Sequence, residues 1–383
     1  MKSFVGSLPL IDHHCHGVVA RDLDRPAFEA LMSEGHRPVP GCSQFDKPLG
    51  LALLRHCPPV LDLDPHAEPG DYLELRRSLG FEEVSRRLIG ANGVSSLLID
   101  TGHRSDSIFD PARMTAVSGV PSREVVRIEA VMEEVARQKP VSGAALRQAF
   151  EARLAGRAAE AVGLKSIVAY RTTFDIDQTE PSLAEVDAAG DLWLRQLDTG
   201  EAKRLENAVL IRHGLYVGAR LCREKGFPMQ LHVGFGDRDV SMPKCDPTVF
   251  LPFIEQMEMM GVTITLLHCW PFLREAAWLA EVFSNVYVDT GVSQNFTGAS
   301  APRVVAEMME LAPFHKQVYS SDAFGLAELH YMGALLFRDA LADVLGGWIA
   351  RGDLLPRRAE QIAKAIAFGN ACRIYGLPLP ASA

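Results

Sequence analysis

The sequence predicts an α/β fold, a (β/α)8 TIM barrel with a helical insertion after its first strand, and three observations carry that reading. Eight short β-branched or apolar runs recur, and most are followed by a stretch of helical periodicity, the pattern of βα units around a parallel sheet. Several runs are apolar throughout, as strands covered on both faces must be. The 383 residues accommodate one barrel of about 250 residues or more together with an insertion.

In order, the runs cover residues 8–12, 95–100, 125–131, 163–169, 229–233, 262–268, 286–289 and 317–322. Helices are expected over 144–162, 202–225, 274–283 and 302–311, and over a long C-terminal pair within 325–375. Residues 17–92 break the repeat. They are rich in proline and charge and include helical pieces at 26–33 and 71–80, so they are read as an insertion or lid over the barrel mouth. The whole of 1–383 is then a single barrel domain. Several runs end in ionisable residues, Asp12, Asp100, His232, His268, Asp289 and Asp322, and the C-terminal strand ends of such a barrel are where chemistry is placed.

Composition narrows the function. With 48% hydrophobic and 23% charged residues the chain is neither disordered nor fibrous. Its net charge of -9, from 39 basic and 48 acidic residues, argues against bulk electrostatic binding of nucleic acid or anionic lipid, so the expected partner is a small-molecule substrate. Seven scattered cysteines without a CxxC pair exclude a disulfide scaffold or cysteine zinc knuckle. The first twelve residues make a poor signal peptide and no apolar run approaches bilayer length, which gives a cytoplasmic, non-membrane expectation. Met257, Met259 and Met260 read as core or as a contact between subunits of a homo-oligomer.

The densest chemical feature is Asp12-His13-His14-Cys15-His16, directly after the first run. In an extended segment residues two apart point to the same side, so His14 and His16 can address one point inside the barrel. Neutral imidazole ligates zinc and similar metals, although two such histidines also suit a hydrogen-bonded polar cluster. His232 and His268 end two later strands and Asp322 ends the last, which lies beside the first when a barrel closes. Lys165 shares its strand face with Ile167 and Ala169. A lysine pointing into a core is costly unless its charge is removed or paired, and carboxylation by carbon dioxide would give an anionic carbamate able to bridge two cations. The alternative is an outward, solvated or ion-paired Lys165. His13, Cys15 and Cys269 read as packing, and Asp289 as a carboxylate that orients a ligand histidine.

The order of HxH on strand one, Lys on strand four, His on strands five and six, and Asp on strand eight resembles the amidohydrolase superfamily. Ile11-Asp-His-His-Cys-His16, Gly163-Leu-Lys-Ser-Ile-Val-Ala-Tyr-Arg171 and Gly369-Asn-Ala-Cys-Arg-Ile-Tyr-Gly376 are similar to the amidohydrolase 2 group, including the segment fused to glutamine-synthetase-like enzymes. The resemblance implies one divalent metal on His14, His16 and Asp322 and a second on His232 and His268, with carboxylated Lys165 as bridge and zinc as the default ion. It further implies a hydrolase in which a metal-bridging hydroxide attacks, its pKa lowered from about 15.7 toward about 7, while Asp322 shuttles the proton. The expected reaction is cleavage of an amide or related C–N bond in a small, carboxylate-bearing substrate. Arg171 is a candidate carboxylate clamp, and His103 and Trp270 are further candidate substrate contacts. The alternatives are a metal-dependent decarboxylase, a lactone or phosphate-ester hydrolase, and a barrel that binds without turnover.

Overall fold

Seven of the apolar runs become parallel strands at the centre of the molecule. In the computed structural model, which describes residues 1–35 and 37–381, these are β1 (Leu10–Cys15), β2 (Val94–Asp100), β3 (Ser122–Arg127), β4 (Gly163–Ser166), β5 (Met229–His232), β6 (Ile264–Leu267) and β7 (Val286–Val288). They lie in chain order in one sheet, each parallel to the next. Every residue of β1 and of β4 to β7 is buried, as a sheet covered on both faces requires. The protein is thus an α/β fold on a curled, TIM-barrel-like parallel sheet.

The eighth run differs from its expectation. Residues 317–323 form no strand, yet they run between the two ends of the sheet. Val318 N–H donates to Val288 O (3.0 Å) on β7, while His13 N–H donates to Tyr319 O (3.1 Å) and Asp322 N–H to His14 O (3.0 Å) on the β1 side. Regular pairing fails because Asp322 takes a left-handed φ of 49° and Ser321 N–H is taken by the Asp12 carboxylate (2.9 Å) instead of a strand carbonyl.

Strands β3 to β7 all end before the sequence suggested, β3 and β4 by the most. β3 ends at Arg127, and Ile128–Ala136 is a helix whose Ile128, Val131, Met132 and Val135 follow the i, i+3, i+4, i+7 spacing of one buried face. β4 ends at Ser166 because the buried Glu129 carboxylate accepts both Ile167 N–H (3.0 Å) and Ser166 Oγ–H (2.5 Å). The chain then turns through Val168–Arg171, one helical turn, so the alternation drawn through Ile167 and Ala169 does not continue.

Between β1 and β2 the chain forms the helices Arg25–Ala30, Pro48–His56, Pro69–Leu79 and Phe81–Gly90. Outside the sheet, Gly143–Ala158 crosses Leu183–Thr199 at a pair of glycines. A Cβ on Gly143 would stand 1.9 Å from Asp187 O, so only glycine lets these backbones approach. The long helix Ala327–Arg351 carries Arg338, whose guanidinium donates to Leu8 O (2.9 Å), Asn92 O (2.6 Å) and Gly93 O (2.8 Å) and fixes the entries to β1 and β2. Among the described residues no helix is long and apolar enough to cross a membrane.

Candidate metal centre

A cavity of about 220 Å³ opens at the C-terminal ends of the strands, and its walls bring together His14, His16, Lys165, His232, His268 and Asp322. β1 supplies His14, the residue just after β1 is His16, β4 supplies the lysine, the end of β5 supplies His232, and the residue just after β6 is His268. His14 Nε2 lies 3.1 Å from Asp322 Oδ1, His16 Nε2 3.6 Å from the same oxygen, and His268 Nδ1 3.6 Å from Oδ2. The His232 and His268 rings stand 4.7 Å apart between centroids.

Hydrogen bonds at the rear of the histidines decide which nitrogen faces the cavity. Gln230 donates its amide to His13 O (2.7 Å) and Tyr375 Oη (2.9 Å), so its Oε1 accepts from His14 Nδ1 at 2.8 Å. His16 Nδ1 donates to Asp100 O (3.0 Å). In both residues Nε2 is left with its lone pair turned toward Asp322. His232 Nε2 and His268 Nδ1 are buried without a hydrogen-bond partner among the described residues. Asp289 braces the arrangement: its Oδ1 accepts His268 N–H (2.6 Å), while Oδ2 meets His13 Nε2 (2.7 Å) and Ser320 Oγ–H (2.9 Å). The histidine it reaches by side chain is therefore His13, outside the cavity, and it holds His268 through the backbone.

Burial, followed by the Lys165 charge, pushes His14 down to about 4, and the same causes hold His232 well below the usual imidazole range. Burial also lowers His268 well below that range, with Asp322 opposing. On Asp322 burial pushes upward, but His268, His14 and His16 outweigh it and hold the carboxyl well below its ordinary value. Lys165 is 1% exposed, and burial, opposed by Asp100 and Asp322, brings it down to about 8. The cavity thus presents His14, His232 and His268 as neutral imidazoles and Asp322 as a carboxylate.

The remaining candidates fall in different places. Arg171 lines the cavity and pairs with Glu133 (3.2 Å), leaving Nε and Nη1 buried without partners. His103 also lines it, with its ring 4.8 Å from Phe324 and 5.7 Å from His16. Trp270 does not: it is 38% exposed, and its ring meets Phe235 at 5.8 Å. Cys15 and Cys269 are buried, as expected of packing residues. Met257 is core, whereas Met259 is exposed. Sequence reasoning passed over Gln230, Arg127, Tyr170 and Glu34. Gln230 had a signal, since alternation puts it on the face of His232 two residues later. Arg127 ends β3, where it binds Asp100 through Nη2 (2.6 Å) and Nε (3.0 Å).

A buried cluster able to hold a metal ion at the strand ends of a TIM-barrel-like sheet is the arrangement expected of the amidohydrolase class. Residues 110–377 match the amidohydrolase family, Amidohydro_2, and the chain belongs to it. Protein fluG of Emericella nidulans is 26% identical over 412 residues, covering 98% of this chain and 47% of that protein, so the chain spans about half the length of this curated relative. A Lactobacillus casei protein assigned as a metal-dependent hydrolase superposes with a TM-score of 0.85 at 28% identity, over 98% of this chain and 97% of the other. Glucuronate isomerase of Caulobacter crescentus shares the fold, with a TM-score of 0.65 at 16% identity over 100% and 94% of the two chains.

Proposed function

We propose that the protein is a metal-dependent amidohydrolase that cleaves an amide or related C–N bond of a small substrate bearing a carboxylate. The observation that carries this reading is the juxtaposition of His14 Nε2 and Asp322 Oδ1 at 3.1 Å. Both are lone-pair atoms, because His14 Nδ1 carries the proton given to Gln230 and burial keeps the ring neutral. Two acceptors in contact inside a protein call for a cation between them. The donor set fits two ions: His14, His16 and Asp322 would hold one, and His232 and His268, with their orphaned nitrogens, a second. Carboxylated Lys165 would bridge them. Its uncharged amine forms an N–C bond to carbon dioxide and loses a proton. Zinc suits imidazole and carboxylate donors.

A bound divalent cation supplies Lewis acidity and brings the pKa of water from about 15.7 toward about 7. The chain's own residues do the rest. Asp322, held ionised by its histidines, accepts the proton of the attacking water and returns it to the leaving nitrogen as the C–N bond breaks, so that water is divided between the acyl carbon and the amine. Arg171, whose Nη2 is held by Glu133, offers its unpaired Nε and Nη1 donors to a substrate carboxylate. The half-buried Phe324 and the buried Ile167 limit water in the cavity.

Lys165→Ala tests the reading. Elemental analysis should show metal content and turnover of N-acyl compounds lost together. A carbamate 13C resonance, seen in the wild type after exposure to labelled bicarbonate, should be missing. Normal metal content and turnover in the variant would remove the bridging role. About one metal per chain with an unmodified lysine in the wild type would favour the decarboxylase instead.

A further inference from the structure

The cavity that holds the histidines continues past Asp322. Glu34, His103, Asp237, Asp322 and Phe324 also line an adjoining chamber of about 650 Å³, whose outer walls come from the chain just after β1 and from Phe296. Arg171, Lys165 and His232 border the inner cavity and take no part in the outer chamber. Asp322 therefore stands where the two spaces meet. The Arg171 guanidinium, with its spare donors, borders the inner cavity alone, whereas the Glu34 carboxyl borders both spaces.

Glu34 makes no hydrogen bond or ion pair among the described residues. The ammonium that acts on it is Lys47, which donates to Met32 O and lies 5.3 Å from the Phe296 ring centre. Burial, and then the like charges of Asp322 and Asp237, push the Glu34 carboxyl up to about 7. A carboxyl held in a cavity wall among other carboxylates costs stability. A ligand cation entering that wall relieves both the crowding and the unmet charge.

We propose that Glu34 is a specificity residue for a cationic group, so that the substrate carries a carboxylate at one end for Arg171 and a protonated amine at the other, with the scissile bond between them at Asp322. This rests on the hydrolytic reading above and narrows its substrate class from carboxylate-bearing amides to dipolar ones. The polarity rests on reach: Arg171, after β4, borders the inner cavity alone, whereas Glu34, on the chain after β1, extends the acidic wall into the outer chamber. A neutral or doubly anionic compound of the same length would leave Glu34 unmatched or repelled.

The test uses zinc-loaded protein and pairs of ω-aminoacyl-glycines with their isosteric acyl-glycines, in which a terminal methyl replaces the ammonium, over a range of chain lengths. Calorimetry measures binding and product analysis measures cleavage. For the best-fitting length, the wild type should bind the ammonium compound about tenfold more tightly than its methyl partner. Glu34→Gln should abolish that preference while binding the methyl compound as the wild type does, and Glu34→Asp should keep part of it. No preference at any length, or a preference equal in wild type and Glu34→Gln, overturns the proposal. Preferential binding without cleavage of any pair sinks the hydrolytic reading and leaves the role of Glu34 standing. Cleavage without preference does the reverse.

Discussion

Asp322 joins backbone strain to chemistry at a single residue. Its φ of 49° is in the left-handed region, as are those of His268 (70°) and Cys269 (58°), and such conformations cost about 1–3 kcal/mol each unless their surroundings enforce them. Here the enforcement is visible: Asp289 takes the His268 N–H, and His14 O takes that of Asp322. Asparagine tolerates this region and keeps one ligand oxygen, so Asp322→Asn should retain most of its metal while kcat falls about 10²- to 10⁴-fold through loss of the proton acceptor. Metal stoichiometry measured beside kcat checks this, and parallel loss of both would make Asp322 mainly a ligand. At this scale the sequence was informative wherever local geometry alone sets direction. His14 and His16 could be placed on one side by the extended spacing, and the cavity does contain them. Glu34 and Trp270 show the opposite. Each sits on an irregular segment whose path depends on distant packing, so its neighbours could not be derived from spacing.

Elements were legible to the extent that one force shaped them. The fully apolar runs bounded by turn residues are legible as parallel strands because burial on both faces favours uninterrupted apolar residues. Residues 128–131 were misassigned because a buried helix and a buried strand share the same short apolar run. The helix Leu183–Thr199 was not expected, although Ser182 and Glu185 carry the S-x-x-E spacing and form a capping box with the first turn. The eighth run reads as a strand because its composition suits one. The side-chain captures by Asp12 and the turn at Asp322 are three-dimensional events with no local signal. The helix Gly291–Thr297 begins against the site, where a Cβ on Gly291 (φ 29°) would lie 2.4 Å from His268 Nδ1 and 3.0 Å from Asp289 Oδ1. Gly291→Ala should therefore displace the His268 ring and weaken metal affinity about 10- to 100-fold, with a stability loss of about 1–3 kcal/mol. Chelator competition and thermal melting measure the two effects. Wild-type affinity in that variant would show that His268 needs no such clearance.

The molecule as a whole stores buried, neutral imidazoles. Burial lowers His14 to about 4, His103 and His330 each to about 3, and His232 and His268 well below the ordinary 6.5. The unfolded chain takes up these protons as pH falls past about 6.5, whereas the folded chain resists until near 4 or below. Their contribution to stability is therefore intact above about pH 6.5 and drains away toward pH 4. Asp12 and Glu34, both raised to about 7 by burial, act in the opposite sense, because the folded state binds their protons first, but they are outnumbered. The melting temperature of metal-free protein should fall steadily from about pH 6.5 to pH 4 in differential scanning calorimetry, and a flat profile would contradict the assignment of neutral histidines.

The stretch 317–323 that lies between β7 and β1 is held by scattered amide bonds where the other neighbours pair as parallel strands. It is also the stretch that carries Asp322. An ion shared by Asp322 with His14 and His16 would therefore fasten the last segment to the first like the clasp of a bracelet, and catalytic readiness and circular closure would be one event.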